Sequence, residues 1–427
     1  MALRMHKRRT LTVMTGAVAV ALVASACGGG DDEGGGTASG GTEGRGPITY
    51  VQGKDNSGLI APQAERWNAA HPTEKVTIKE QSDQADQQHD DLVQHFQAKD
   101  PSYDVVSVDV VWVAEFAAKG WLTPLKDKLA IDTTGFLEAP VKASTYNKTL
   151  FAAPTSSDGA MLYYRTDLVK TPPKTIDEMW GMCSIAKSNG MDCYAGQFAK
   201  YEGGTCNATE WMNAYGAKAV DDAGKPTIDS PEAAAGLKAL AEHYKNGDIP
   251  KQAVTYQEEQ SRAAFQDGKL LFLRNWPYVY NLASTDAGSK VKGKFAVAPL
   301  PGVSGPGTST LGGHQAAISS FSKNKATALD FLKFLTSPEE QKTNMEKGSL
   351  APVIESIYGD QALVAKYPYL PVLLESIKNA VARPVTPFYP GVTKAIQDNF
   401  FPALQGQKTP EQAVKDMQAA MVAASGG

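Results

Sequence analysis

PITYVQ at residues 47–52, KVTIKE at 75–80 and YDVVSVD at 103–109 are three apolar, β-branched runs of strand length. Two helical patterns separate them. Residues 59–70 put Leu59, Ile60, Ala64 and Trp67 on one face, and residues 87–97 form a second amphipathic segment. The run at 103–109 has the continuous apolar character of a strand buried on both faces of a parallel sheet. Strand, helix, strand, helix, strand predicts a doubly wound α/β lobe, in which ligands bind beyond the carboxyl ends of the strands. Asp109 and Trp112 fall at such an end.

Working outward, the second half repeats the style without repeating the sequence. Strands are expected at 160–164 and 193–198, with helices at 176–188 and onward through Trp211 and Lys238. No repeat of 20 to 50 residues is present. Residues 298–313 hold five glycines and three prolines in 299–307 and 312–313, the composition of a linker, and 151–158 and 351–354 are further candidate crossings. A chain of this length exceeds what one core supports. Two discontinuous lobes are expected, 47–153 with 305–352 and 154–304 with 353–427, an α/β arrangement suited to hinge closure. The stripe of Ala328, Leu329, Leu332 and Leu335, stopped by Ser337-Pro338, and that of Val414, Met417 and Met421 read as packing.

Upstream, Arg4, Lys7, Arg8 and Arg9 precede an apolar run at 11–23 that is short for a membrane span, then Ala24-Ser25-Ala26 and Cys27. This resembles a bacterial lipoprotein signal, with Ala24 where leucine is usual. The resemblance implies removal of residues 1–26, lipidation of Cys27 and display outside the membrane; a plain secretory signal is the alternative. Residues 28–46 hold ten glycines and read as a disordered tether, with a root-mean-square reach of about 25 Å.

Loss of the leader would take the formal charge from −4 to −8 on 401 residues. A mildly acidic chain with no basic stripe argues against nucleic acid. Besides Cys27 there are Cys183, Cys193 and Cys206. A short link from the 176–188 helix to the next strand favours a Cys183–Cys193 disulfide, with Cys206 buried and free. No metal is expected, since His89 and His95 are six apart rather than i, i+4. Phosphate-binding loop, dinucleotide, zinc-protease and nucleophile-elbow motifs are missing, the stretch after Gly302 carrying Pro306 where an elbow needs its last glycine. Neither enzyme chemistry nor a cofactor is implied.

Aromatic residues do lie beside carboxylates and amides: Asp109 with Trp112, Asp158, Arg274-Asn275-Trp276-Pro277-Tyr278, His314-Gln315 and Arg383-Pro384. Sugars suit that mixture, because their C–H faces stack on rings while their hydroxyls need charged and amide partners. With YDVVSVDVVWVAEFAAKGWLTPL (103–125), APTSSDGAMLYYRTD (153–167), YEGGTC (201–206), AFQDGKLLFLRNWPYVY (264–280), LGGHQAAIS (311–319), DFLKFLTS (330–337) and RPVTPFYPG (383–391), the chain resembles the extracellular solute-binding proteins of carbohydrate ABC importers, in particular their trehalose/maltose-binding branch.

That resemblance implies a two-lobed periplasmic-binding-protein-like fold that captures a disaccharide or related glycoside and delivers it to a permease driven by a cytoplasmic ATPase. Asp109 and Asp158 would accept hydrogen bonds from hydroxyls, Trp276 and Tyr278 would stack, Arg383 would reach the ligand, and Gly313 would let backbone approach it. The departures are His89 for an arginine, His314 for a tryptophan, Ser156 for a tyrosine and Gly58 for an acidic residue, with Asn56 and Ser57 as nearby polar candidates. They leave the sugar open. A monomer is the default, and two rivals remain: a surface glycosidase using Asp109 and Asp158, and the same fold binding a non-sugar solute.

Overall fold

A computed structural model describes residues 41–221 and 223–426. The leader and Cys27 lie outside the described residues, as does the expected tether up to residue 40. Its last residues depart from the expectation of disorder. Glu43 pairs with Lys128, and Arg45 bridges Glu74 at 3.0 Å and Asp330 at 2.8 Å. Scarcity of apolar side chains led to the expectation of disorder, but opposite charges on the folded surface dock these residues.

The strands fall into two principal sheets. In the first, Val76–Glu80, Ile48–Gln52 and Val105–Asp109 run parallel, followed by His314–Ile318 and Ala152–Pro154, each antiparallel to its neighbour. The second is ordered Phe295–Ala298, Met161–Arg165, Leu270–Asn275, Asp192–Ala195. Between them Asp158–Gly159 pairs antiparallel with Leu311–Gly312. The chain therefore passes from one sheet to the other on either side of this short ribbon, and each sheet anchors one lobe.

The helices Ile60–Ala70 and Ala85–Gln97 alternate with the first strands as their periodicity predicts. Asp55 starts the first helix by accepting from the backbone N–H groups of Ser57, Gly58 and Ile60, which satisfies donors a helix leaves open at its N-terminus. The stripe on Lys325–Leu335 buries Ala328, Phe331, Leu332 and Leu335 against Tyr50, Trp67, Ala316 and Ile318 of the first lobe. Burying each large apolar side chain contributes about 1.5–3 kcal/mol.

Two local expectations change and a third is extended. The segment 176–188 is two helices, Ile176–Gly181 and Cys183–Ser188, which meet at Met182. The strand expected at 193–198 stops at Ala195; Gln197 turns inward to bond Ser261 and the Arg274 carbonyl. Ser337-Pro338 ends one helix and opens another, Pro338–Gly348, with the Ser337 hydroxyl accepting from the Glu340 N–H; proline suits the first helical position because its missing donor would be unpaired there anyway. Cys183 and Cys193 form a disulfide, and Cys206 is buried and free.

Candidate functional site

A cleft of about 300 Å³ opens where the carboxyl ends of strands from both sheets converge. That size is at the lower end for small-molecule sites. Gln52 and Asp109 end strands of the first sheet, Trp276 follows the last residue of Leu270–Asn275 in the second, and Asp158, Gly312 and Gly313 come from the connecting ribbon.

Arg383 organises the floor. It is 3% exposed; one arm of its guanidinium donates to Glu202, the other to Asp109 Oδ1 at 3.0 Å and the Leu311 carbonyl at 3.2 Å. Glu202 also accepts from the hydroxyls of Tyr389 and, at 2.7 Å, Thr393. Burial pushes the Glu202 carboxyl above its ordinary range; Arg383 opposes this and Asp109 adds to it. On Asp109, Oδ1 also accepts from the Val111 N–H at 3.1 Å, so both side-chain bonds fall on one oxygen and Oδ2 has no partner among the described residues. Asp109 thus serves as a turn cap and still has an acceptor to offer.

Asp158 accepts no side-chain hydrogen bond among the described residues. Burial pushes its carboxyl up to about 6, with His314 opposing and Asp109 adding. His314 is exposed on the strand beside Asp109, and its backbone N–H donates to Ser156 Oγ at 3.0 Å. Gly313 has φ +118°, and a Cβ there would stand 2.4 Å from the Ser156 carbonyl oxygen, so the crossing passes only because this residue lacks one.

Trp276 and Tyr278 are half-buried on the opposite wall. The Arg274 guanidinium lies 4.0 Å from the Trp276 ring centroid, and a Cβ on Gly312 would come within 2.9 Å of the same ring. The Tyr278 hydroxyl donates to Glu259 at 2.6 Å. Packing therefore holds both rings while leaving part of each uncovered.

Asp109, Trp112, Asp158, Trp276, Tyr278, Gly313, His314, Arg383 and Asn56 all line this one cleft. His89 does not. Its Nε2 is 2.7 Å from Glu115 Oε2 and its ring stacks on Phe116, because it lies about 100° around the helix from cleft-lining Gln88. Arg274, Asn275 and Gln315 also leave the expected sugar-binding mixture. Arg274 is fully buried against Glu210 and Gln197, Asn275 bonds Ser261, and Gln315 accepts from Ser144.

The cleft adds residues that sequence reasoning did not single out: Gln52, Gln88, Glu202, Glu258 and Asn344. Gln52 could have been found from its place at a strand's carboxyl end. Glu258 and Asn344 carry no local signal, being brought in by helices distant in sequence. Among the described residues no group of three or more His, Cys, Asp or Glu could hold a metal ion.

Residues 51–342 match the family described as bacterial extracellular solute-binding protein. A probable ABC transporter-binding protein from Deinococcus radiodurans is 35% identical over 341 residues, covering 76% of this chain and 80% of the relative. Among solved structures, maltose-bound MalE3 of T. maritima superposes with a TM-score of 0.83 at 35% identity, covering 87% of this chain and 98% of that one. A solute-binding protein from Thermotoga lettingae bound with α-D-tagatose gives 0.80 at 25% identity, over 89% and 99% of the two chains.

Proposed function

This chain belongs to the bacterial extracellular solute-binding proteins, and we propose that it captures a maltose- or trehalose-like disaccharide between its lobes for an ABC importer. The family binds solutes outside the cytoplasm and is not enzymatic, which removes the glycosidase reading. The observation that carries the sugar reading is the pairing, across one cleft, of half-buried Trp276 and Tyr278 with acceptors of Asp109 and Asp158 that have no partner among the described residues. Rings take the C–H faces of a pyranose and carboxylates take its hydroxyls. Gly313, His314, Trp112 and Asn56 complete the surroundings, and Arg383 fixes Asp109 as well as reaching the floor.

Both lobes contribute contacts, so a sugar touching both favours the closed state and shifts an open–closed equilibrium toward it. The closed protein hands its cargo to a permease coupled to a cytoplasmic ATPase. Lipidation at Cys27 holds the protein at the membrane, and it acts as a monomer. The test is calorimetric titration with maltose, trehalose, sucrose and glucose, with Trp276→Ala as the control. Micromolar binding of one disaccharide, weakened at least tenfold by the substitution, is the expected result; silence across the panel would discard the sugar reading.

A further inference from the structure

One wall of the cleft is chemically unlike the rest. Asp109, Asp158, Glu202 and Arg383 gather on the floor and the ribbon, and Lys54, Asp55 and Asp83 lie in the loops after the first two strands, whereas the residues that line the wall between the helices Ile60–Ala70 and Pro338–Gly348 are uncharged. Gln52, Ile60, Gln63, Leu335, Asn344 and Leu350 supply it. The carboxylate behind it, Glu340, is taken up by Arg66 at 2.5 and 2.7 Å and by Gln63 at 3.2 Å, so it is not offered to a ligand.

Two buried polar atoms on this wall have no partner among the described residues: Gln52 Nε2, on a residue only 6% exposed, and Asn344 Oδ1. One is a donor and the other an acceptor. A hydroxyl both accepts and donates, and so complements the pair. Ile60, Leu335 and Leu350 add aliphatic surface in place of a ring.

We infer that this wall is a subsite for an uncharged, hydroxyl-bearing end of the ligand, whose hydroxyls accept from Gln52 and donate to Asn344. The inference rests on the sugar reading and refines it, because the wall selects at that end by two amides and aliphatic contact. A phosphate, carboxylate or amine placed there meets only uncharged side chains among these six, and burying an unpaired charge is heavily penalised.

The experiment titrates the purified protein, Gln52→Met and Asn344→Leu with maltose and trehalose, each alongside its 6-phosphate. Both substitutions keep approximate size and remove the amide. Each variant should bind the neutral sugar about fivefold to tenfold more weakly, as loss of one neutral hydrogen bond implies, while its melting temperature stays within about 2 °C of the parent. The parent should bind the phosphorylated sugars at least about a hundredfold more weakly. Variants that bind within twofold of the parent, or equal affinities for neutral and phosphorylated sugar, would overturn the subsite and leave the sugar reading standing. A parent that binds no sugar would remove both. The phosphate comparison needs no variant and so decides the matter even if a substitution misfolds.

Discussion

Replacing Arg383 by methionine keeps most of the aliphatic stem and strips the counter-ion from Glu202 and Asp109. Two charge-assisted bonds and one to the Leu311 carbonyl are lost. Each charged bond contributes about 1.5–3 kcal/mol, offset in part because a guanidinium no longer has to be desolvated. Breaking a buried pair by removing one partner typically costs about 3–5 kcal/mol, and that is the loss expected near neutral pH.

The loss should depend on pH. Burial already raises the Glu202 carboxyl, and Arg383 is the leading influence holding it down, so the variant's value moves higher still. A carboxyl whose folded value lies above its unfolded one makes the native state bind more protons in the interval between them. Stability then falls as pH rises through that window and recovers on acidification. Urea denaturation followed by circular dichroism, run on parent and variant at pH 5 and pH 8, measures this. The deficit should be larger at pH 8. A deficit below about 1 kcal/mol, or one equal at both pH values, would refute the reasoning that Arg383 neutralises a buried carboxylate pair.

Two further outcomes are expected. Asp158 titrates near 6 in the free protein, and a hydroxyl donating to it favours the ionised form, so affinity should be full above that pH and fall by up to about tenfold per unit below it; titrations at pH 7.5 and 5 should differ for the parent and agree for Asp158→Asn, and a parent with equal affinities would remove Asp158 from the ligand contacts. The Cys183–Cys193 link closes a loop of sequence separation 10, so the double serine variant should lose about 2–3 kcal/mol of stability in chemical denaturation, and a loss under about 1 kcal/mol would mean that the closed loop constrains the unfolded chain little.

The parts legible in the sequence share one property: each is set by a local pattern. Alternating strand and helix periods between residues 47 and 109 specify the first lobe because burial on one face demands those periods. Asp109 was locatable because it ends a buried strand, and Cys183 with Cys193 because a short connection joins their elements. The same local reasoning misjudged residues 43–46, whose partners Lys128 and Asp330 lie far along the chain; it read Pro338 correctly as the stop of one helix but not as the start of the next.

What only the tertiary structure decided is which polar groups are already occupied. In sequence, Arg274 and Arg383 both sit in aromatic, proline-containing segments and look alike. Folded, Glu210 and Gln197 enclose Arg274 behind Trp276, while Arg383 reaches the cleft floor and bonds Asp109 and Glu202. His89 and Gln88 are adjacent, yet one is held by Glu115 and the other lines the cleft. Residue type and period determine the fold because hydrophobic burial depends on local spacing; availability to a ligand depends on hydrogen bonds to residues that only the folded chain brings near.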